Sequence, residues 1–193
     1  MLTIMKTTTL LILFCTAYSI FAQDKFTTNS AVINFEASVP FFEEIKAVNR
    51  TVALTLEPKT DSFTCVVMIK DFSFGLDLMQ QHFNENYMES QRYPKAVFKG
   101  KIVNFDLKDV GTLEKEFQLK GKLYIHGKSR EVEAKLLMKK VAEGIQVTSS
   151  FPITISDFNV VIPEKVASKI SKTANTELSG LIQSDDLLYL TLK

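Results

Sequence analysis

The two histidines, His82 and His126, are the first candidates for chemistry in this chain. His82 stands three residues before Glu85, a spacing that brings both side chains to one face of a helix and supplies half of a metal site. A second such pair is missing, and beyond the first 22 residues the only thiol is Cys65, so neither zinc nor non-haem iron is expected. The more ordinary role for His82 is to tie its helix to a nearby loop. His126-Gly127-Lys128-Ser129 resembles the end of a phosphate loop, but that motif needs glycine at position 122, where Lys122 stands. The segment also joins two strand-like stretches, with no helix N-terminus to cradle a phosphate, so a hairpin turn is expected. A Ser/His/acid triad is compatible with the residue counts, yet no Gly-x-Ser-x-Gly elbow occurs. No catalytic residue, metal or cofactor is assigned.

Arg50 is a different kind of candidate. Strict alternation places it on one strand face with Val48, Val52, Leu54 and Leu56. A charge on an apolar row is costly unless it is paired or reaches water. Two readings stand: a strand-end arginine that snorkels to solvent, or an anchor for an anionic or polar head group, through the bidentate bonds a guanidinium makes to phosphate or carboxylate. Lys99, Lys101, Lys120, Lys122, Lys139 and Lys140 look like a basic patch, but Glu114, Glu116, Glu131 and Glu133 lie among them in sequence and describe a mixed, solvated face.

The elements that must position these residues are mostly strands. Apolar and polar residues alternate over Ala31–Ala37, Val48–Leu56, Ala96–Phe105, Phe117–Ile125, Val132–Met138 and Ile145–Ile155, and Thr173–Gln183 closes the series. Phe63–Phe72 is apolar on both faces. Period-two patterning of this kind marks half-buried antiparallel strands. Two segments break it. Leu76, Met79, Phe83 and Tyr87 recur at helical spacing before Tyr93-Pro94, and Pro163 opens a short helix on which Val166 and Ile170 share a face. Long strands with tight connections predict an all-β fold, an extended antiparallel barrel of about eight strands with two short helices. The inward rows carry the small residues Ala96, Gly100, Gly121, Ala134 and Ser149, which either sit opposite large neighbours in a filled core or leave a hollow. The Lys-rich polar rows and the helical interruptions argue against a membrane barrel, so no stable membrane insertion is expected.

Residues 1–22 carry a positive Lys6, an apolar run from Leu10 and a small Ala22, the pattern of a secretory signal peptide. That run falls short of the roughly 20 residues of a membrane span. Cleavage leaves residues 23–193 as one exported domain, periplasmic or secreted. Of the 193 residues 46% are apolar and 23% charged, enough apolar side chains for a core. The 23 basic and 22 acidic residues include Lys6, so the mature chain is neutral and no nucleic-acid partner is expected. One cysteine per mature chain forbids an internal disulfide.

The stretch Leu78-Met79-Gln80-Gln81-His82-Phe83-Asn84-Glu85-Asn86-Tyr87-Met88-Glu89-Ser90, followed by Tyr93-Pro94-Lys95-Ala96-Val97-Phe98-Lys99-Gly100-Lys101-Ile102, resembles the central signature of the YceI-like family, also described as lipid- or polyisoprenoid-binding. Phe35-Glu36-Ala37-Ser38 with Pro40, Leu119 to Gly127, and Asp157-Phe158-Asn159-Val160 with Ile162-Pro163 match as well and in the same order. The resemblance implies a lipocalin-like barrel with a long apolar tunnel for an isoprenoid or other fatty-chain lipid. The tryptophan often found near the family's N-terminus is absent here, which leaves the pairing of the first strand open. Phe98, Ile102, Leu119, Leu123, Ile125, Leu136, Val147 and Phe151 are the inward residues expected to line the tunnel. Met79 and Phe83 are expected to cover an opening, and Arg50 and His82 are the head-group candidates. An alkyl chain gains about 0.8 kcal/mol per buried CH₂, so such a site needs no elaborate polar chemistry. The expected function is non-catalytic lipid binding. An enzyme acting on a lipid held in the barrel, and a periplasmic stress or interaction module without ligand, are the alternatives, and a homodimer stays open.

Overall fold

A computed structural model describes residues 25–184; the signal-peptide reading of residues 1–22 lies outside them. The chain runs β1 (Phe26–Glu36), β2 (Lys46–Glu57), β3 (Ser62–Met68), β4 (Ser73–Phe74), α1 (Asp77–His82), β5 (Lys95–Ile102), β6 (Lys115–Ile125), β7 (Lys128–Val141), β8 (Gly144–Thr154), α2 (Glu164–Ala167) and β9 (Thr173–Ser184). The strands form one antiparallel sheet in the order β1-β9-β8-β7-β6-β5-β3-β2, and β1 pairs with β2 as well as β9. The sheet is thereby a closed eight-stranded barrel with two short helices, the architecture expected from the alternation, and the open question of β1 is settled by its two neighbours. The ninth strand, β4, extends the wall beside β2: β2 pairs with β3 over residues 53–57 and with β4 at Ala47 and Val48.

The lysine rows face outward and are matched across strands. Lys99 and Lys101 of β5 lie opposite Lys122 and Lys120 of β6, a like-charge arrangement that costs stability by itself. Glu131 and Glu133 of β7 relieve it, through Lys122–Glu131 at 3.4 Å and Lys120–Glu133 at 2.7 Å. Exposed pairs of this kind contribute little individually; together they make the mixed outer face expected from sequence. At the β6–β7 turn His126 and Gly127 both have positive φ, 47° and 73°, as the hairpin requires of its two central residues.

Arg50 requires a correction. It is exposed on the outside of the barrel, and its neighbour Asn49 points inward with no exposure at all. The cause is a bulge. Between the pairs Ala31↔Val52 and Ile33↔Asn49, β2 has one residue more than β1. The extra residue at Arg50-Thr51 reverses the phase of alternation, so Ala47 and Asn49 join Val52, Leu54 and Leu56 on the inner row. A second bulge restores the count on the other strand: between Thr28↔Leu54 and Ala31↔Val52 the surplus lies on β1. Asn49 holds its bulge in place. Its Nδ2 donates to the Met68 carbonyl at 2.9 Å, and its Oδ1 accepts from the Thr51 N–H at 2.9 Å and the Thr51 hydroxyl at 3.1 Å. Thr51 Oγ1 also lies 2.7 Å from Asp71 Oδ2.

The predicted strand over Phe63–Phe72 is interrupted for a related reason. After Met68 the chain leaves the β3 line through a 3₁₀ turn, Ile69–Asp71, before re-forming as β4. The Ile69 N–H bonds the Pro94 carbonyl at 2.9 Å, and a run apolar on both faces carries no phase with which to mark that exit. The second helix is one turn long, so Lys169 and Lys172 lie beyond its end.

Replacing Asn49 by alanine leaves the Thr51 N–H and the Met68 carbonyl without their partner, and unfolding in urea is expected to show a loss of about 2–3 kcal/mol. Arg50→Ala, one residue away on the outer face, is expected to stay within about 0.5 kcal/mol of the parent; a large loss there would return Arg50 to the interior.

Candidate functional site

The inward rows of the barrel divide into a solid part and a hollow part. On one side lie Ala31, Val52, Leu54, Leu56, Ile102, Leu136, Met138, Val147 and Ile182, each at most 1% exposed. This half is solid. Gly180 shows how tight it is, because a Cβ there would stand 2.8 Å from the Ala31 Cβ and 3.0 Å from a Leu54 methyl. On the other side the rows surround a cavity of about 400 Å³, within the usual range of ligand pockets. Phe98, Leu119, Leu123, Ile125 and Phe151, expected as lining residues, line it, and so do Met79, Phe83 and His82. Ile102, Leu136 and Val147 do not; they belong to the solid half. The cavity is a blind pocket reaching part-way down the barrel, where the resemblance implied a long tunnel.

Both readings of the small residues hold, at different depths. Ala96, Ala134 and Ser149 line the hollow. Gly100 and Gly121 do not. They face each other across β5 and β6, and a side chain on Gly100 would strike the Phe98 ring and the Lys120 carbonyl. Phe98 lies over that gap and forms part of the cavity floor.

The wall is apolar even where its residues are not. Ser149 Oγ donates to the Lys135 carbonyl at 2.8 Å, and Thr176 Oγ1 to the Phe151 carbonyl at 2.5 Å. Both hydroxyls are thus bonded to backbone. Dry cavities are lined in this way, since a water needs two or more polar partners to be held.

A cap crosses the open end. Helix α1 continues into a π turn over Phe83–Tyr87, closed by the Met88 N–H on the Phe83 carbonyl at 2.9 Å. Phe83 sits against Phe35, Phe72 and Phe74 with ring centroids 4.9–5.7 Å apart. All four rings line the cavity. The far end of the cap is fastened by His126, whose Nε2 lies 2.9 Å from Glu89 Oε2, whose Nδ1 lies 3.3 Å from the Phe158 carbonyl, and whose ring meets Tyr93 edge-on at 4.5 Å. His82, expected to tie its helix to a nearby loop, is exposed at the rim, and the cap is tied down by His126 instead. The β8–β9 connection contributes Val160, Ile162, Val166 and Ile170 to the lining.

Among the described residues the lining contains three charged or imidazole side chains, Glu43, His82 and Lys169, all exposed at the mouth. Lys169 was not among the head-group candidates; the shared face of Val166 and Ile170, which brackets it, was the available signal. No group of three or more His, Cys, Asp or Glu side chains suited to a metal ion occurs among the described residues, and none of their helices is long and apolar enough to cross a membrane.

An eight-stranded antiparallel barrel with an apolar pocket under a helical cap belongs to the class of closed antiparallel barrels whose interior is just wide enough for side chains or one small ligand. The sequence matches the YceI-like domain over residues 24–179, and the chain belongs to that family. No curated protein matches it. Among solved structures it is similar to a polyisoprenoid binding domain from Saccharophagus degradans implicated in plant cell wall breakdown, at 14% identity and a TM-score of 0.71 over 84% of this chain and 99% of that one. It is also similar to BcnA of Burkholderia cenocepacia, at 17% identity and a TM-score of 0.62 over 79% and 95% of the two chains. A Campylobacter jejuni YceI protein matches at 17% identity and a TM-score of 0.50, over 67% and 79%.

Cys65 lies in the cavity wall, and burial pushes its thiol up to about 12 from an ordinary 9.0. At pH 8 only about one molecule in 10⁴ then carries a thiolate, so Cys65 is expected to resist iodoacetamide in the native state and to react on unfolding. The thiol is neutral in both states below about pH 9. Between 9 and 12 only the unfolded chain ionises, so native stability falls as pH rises through that window. Comparing alkaline unfolding of the parent with Cys65→Val checks this: the variant lacks that part of the loss.

Proposed function

We propose that this protein is a non-catalytic lipid-binding protein, holding the tail of an isoprenoid or other long-chain amphiphile in its cavity, and that it is exported after removal of residues 1–22. The observation that carries this reading is the character of the pocket: a pre-formed hollow of about 400 Å³ whose deep wall is apolar and whose charged side chains are confined to the mouth. Burying a hydrocarbon chain there gains about 0.8 kcal/mol per methylene and leaves the Ser149 and Thr176 hydroxyls bonded to backbone. The polyisoprenoid-binding description of the Saccharophagus degradans domain supports the same class of cargo.

The rim sets what the head group meets. Lys169 and His82 offer donors, and Lys169 makes no ion pair among the described residues. A carboxylate or phosphate at the mouth would find a cation there, a place that Arg50 on the outer wall cannot fill.

Organic-solvent extraction of the purified protein followed by mass spectrometry is expected to release a long-chain amphiphile. A protein that carries none and takes up none when offered fatty acids or prenols would overturn the proposal. Ala96→Phe, which fills the pocket, is expected to weaken uptake by at least tenfold. Lys169→Gln is expected to weaken a fatty acid about fivefold, equivalent to ~1 kcal/mol, and to leave the fatty alcohol of equal length unchanged. Equal effects on both would remove Lys169 from the head-group site.

A further inference from the structure

The layer boundary inside the barrel has a chemical meaning beyond the presence of a pocket. On β5 to β9 the lining ends part-way along the strand: at Phe98 on β5, Leu119 on β6, Ala134 on β7, Ser149 on β8 and Leu178 on β9. The next inward residue on each of these strands, such as Ile102 beyond the tight Gly100, Leu136 or Val147, is part of the solid half. A chain entering from the mouth therefore meets a floor.

Two independent estimates give the length of chain that fits above it. Taking ~30 Å³ per chain carbon, the share of a liquid water, the volume of about 400 Å³ holds about thirteen carbons. Along β6 the lining runs from Leu119 to Ile125. Those six steps of about 3.4 Å, on a strand tilted by about 40°, give a depth of roughly 15 Å. An extended alkyl chain advances ~1.3 Å per carbon, the axial projection of its ~1.5 Å bonds, so roughly 15 Å takes about twelve carbons.

Resting on the binding reading above, we infer that the pocket is a length ruler: its cargo is a single-chain amphiphile with about 12–15 tail carbons, straight or built of three isoprene units, and not a polyprenyl chain several times longer. Each methylene above the floor adds to affinity, and each one beyond it stays at the mouth. The floor residues act as specificity determinants. Ala134 lies directly opposite Leu119 at the floor, and Leu136 sits one inward step below it, opposite Phe117.

The test is a titration of the intact protein with straight-chain carboxylates of 8 to 20 carbons, kept below their micellar concentrations and read by isothermal calorimetry. Affinity is expected to rise about fourfold per methylene, the equivalent of ~0.8 kcal/mol, up to about 12–14 carbons and then to level off. Ala134→Leu, which raises the floor, is expected to move the break about two to three carbons shorter. Leu136→Ala, which lowers it, is expected to move the break longer by a similar amount. Should Leu136→Ala fail to fold, Ala134→Leu alone decides. Affinity that keeps climbing to 20 carbons, or a break that Ala134→Leu does not move, would overturn the ruler while leaving the binding reading intact. Absence of binding at every length would overturn both.

Discussion

The pairing of β1 with β2 is the constraint on which the interior depends. Without it the sheet would have two open edges, and the inward rows would not face one another across a common axis. The seam closes with a surplus residue on β1 near Asn29-Ser30 and another on β2 at Arg50-Thr51. Equal and opposite slips leave the register at the two ends of the seam unchanged, while the strands bend between them. Asn49 makes the second slip tolerable, since its amide supplies partners for the groups that the ladder leaves unpaired. A buried amide with this many bonds is a polar element that an apolar core can hold at little cost.

The solid and hollow halves of the barrel have different duties. Leucine, isoleucine, methionine and valine at full burial supply the stabilisation of the closed half, where each large side chain contributes about 1.5–3 kcal/mol over its exposed state. The open half forgoes part of that contribution, because an unfilled space loses the dispersion contacts its wall would otherwise make. A stable floor lets the upper walls stay apart. The hollow needs no polar lining to remain open, because the wall hydroxyls of Ser149 and Thr176 are already bonded to backbone.

Much of this was legible in the residues. Alternation identified seven of the eight barrel strands and the inward sets on β5 to β8, because on a half-buried strand the period directly reports the face; β3 lay in a run apolar on both faces. The helix carrying Met79 and Phe83 was equally plain. Two features were not legible, for separate reasons. The inward row of β2 was misphased at Arg50, because a bulge inserts a residue without altering the types on either side of it. The depth of the pocket was hidden, because Leu123 above the floor and Leu136 below it are the same kind of residue on the same kind of row. Whether an inward leucine touches a cavity or a neighbour depends on seven other strands. Family resemblance named the barrel but carried the tunnel too far down it.

The two attachments of the cap differ in kind. At its Glu89 end a carboxylate, an imidazole and a tyrosine ring form a directional polar joint, with Gly127 leaving room for Tyr93 beneath it. At the Phe83 end four phenyl rings meet with no hydrogen bond between them. The first attachment is directional, and the second is held chiefly by the packing of rings. One polar tie accompanies the rings at this end, the Phe74 N–H donating to Gln80 Oε1 of the helix at 3.1 Å. The cap thus turns its aromatic end to the interior, where Phe35, Phe72, Phe74 and Phe83 form a continuous part of the cavity wall.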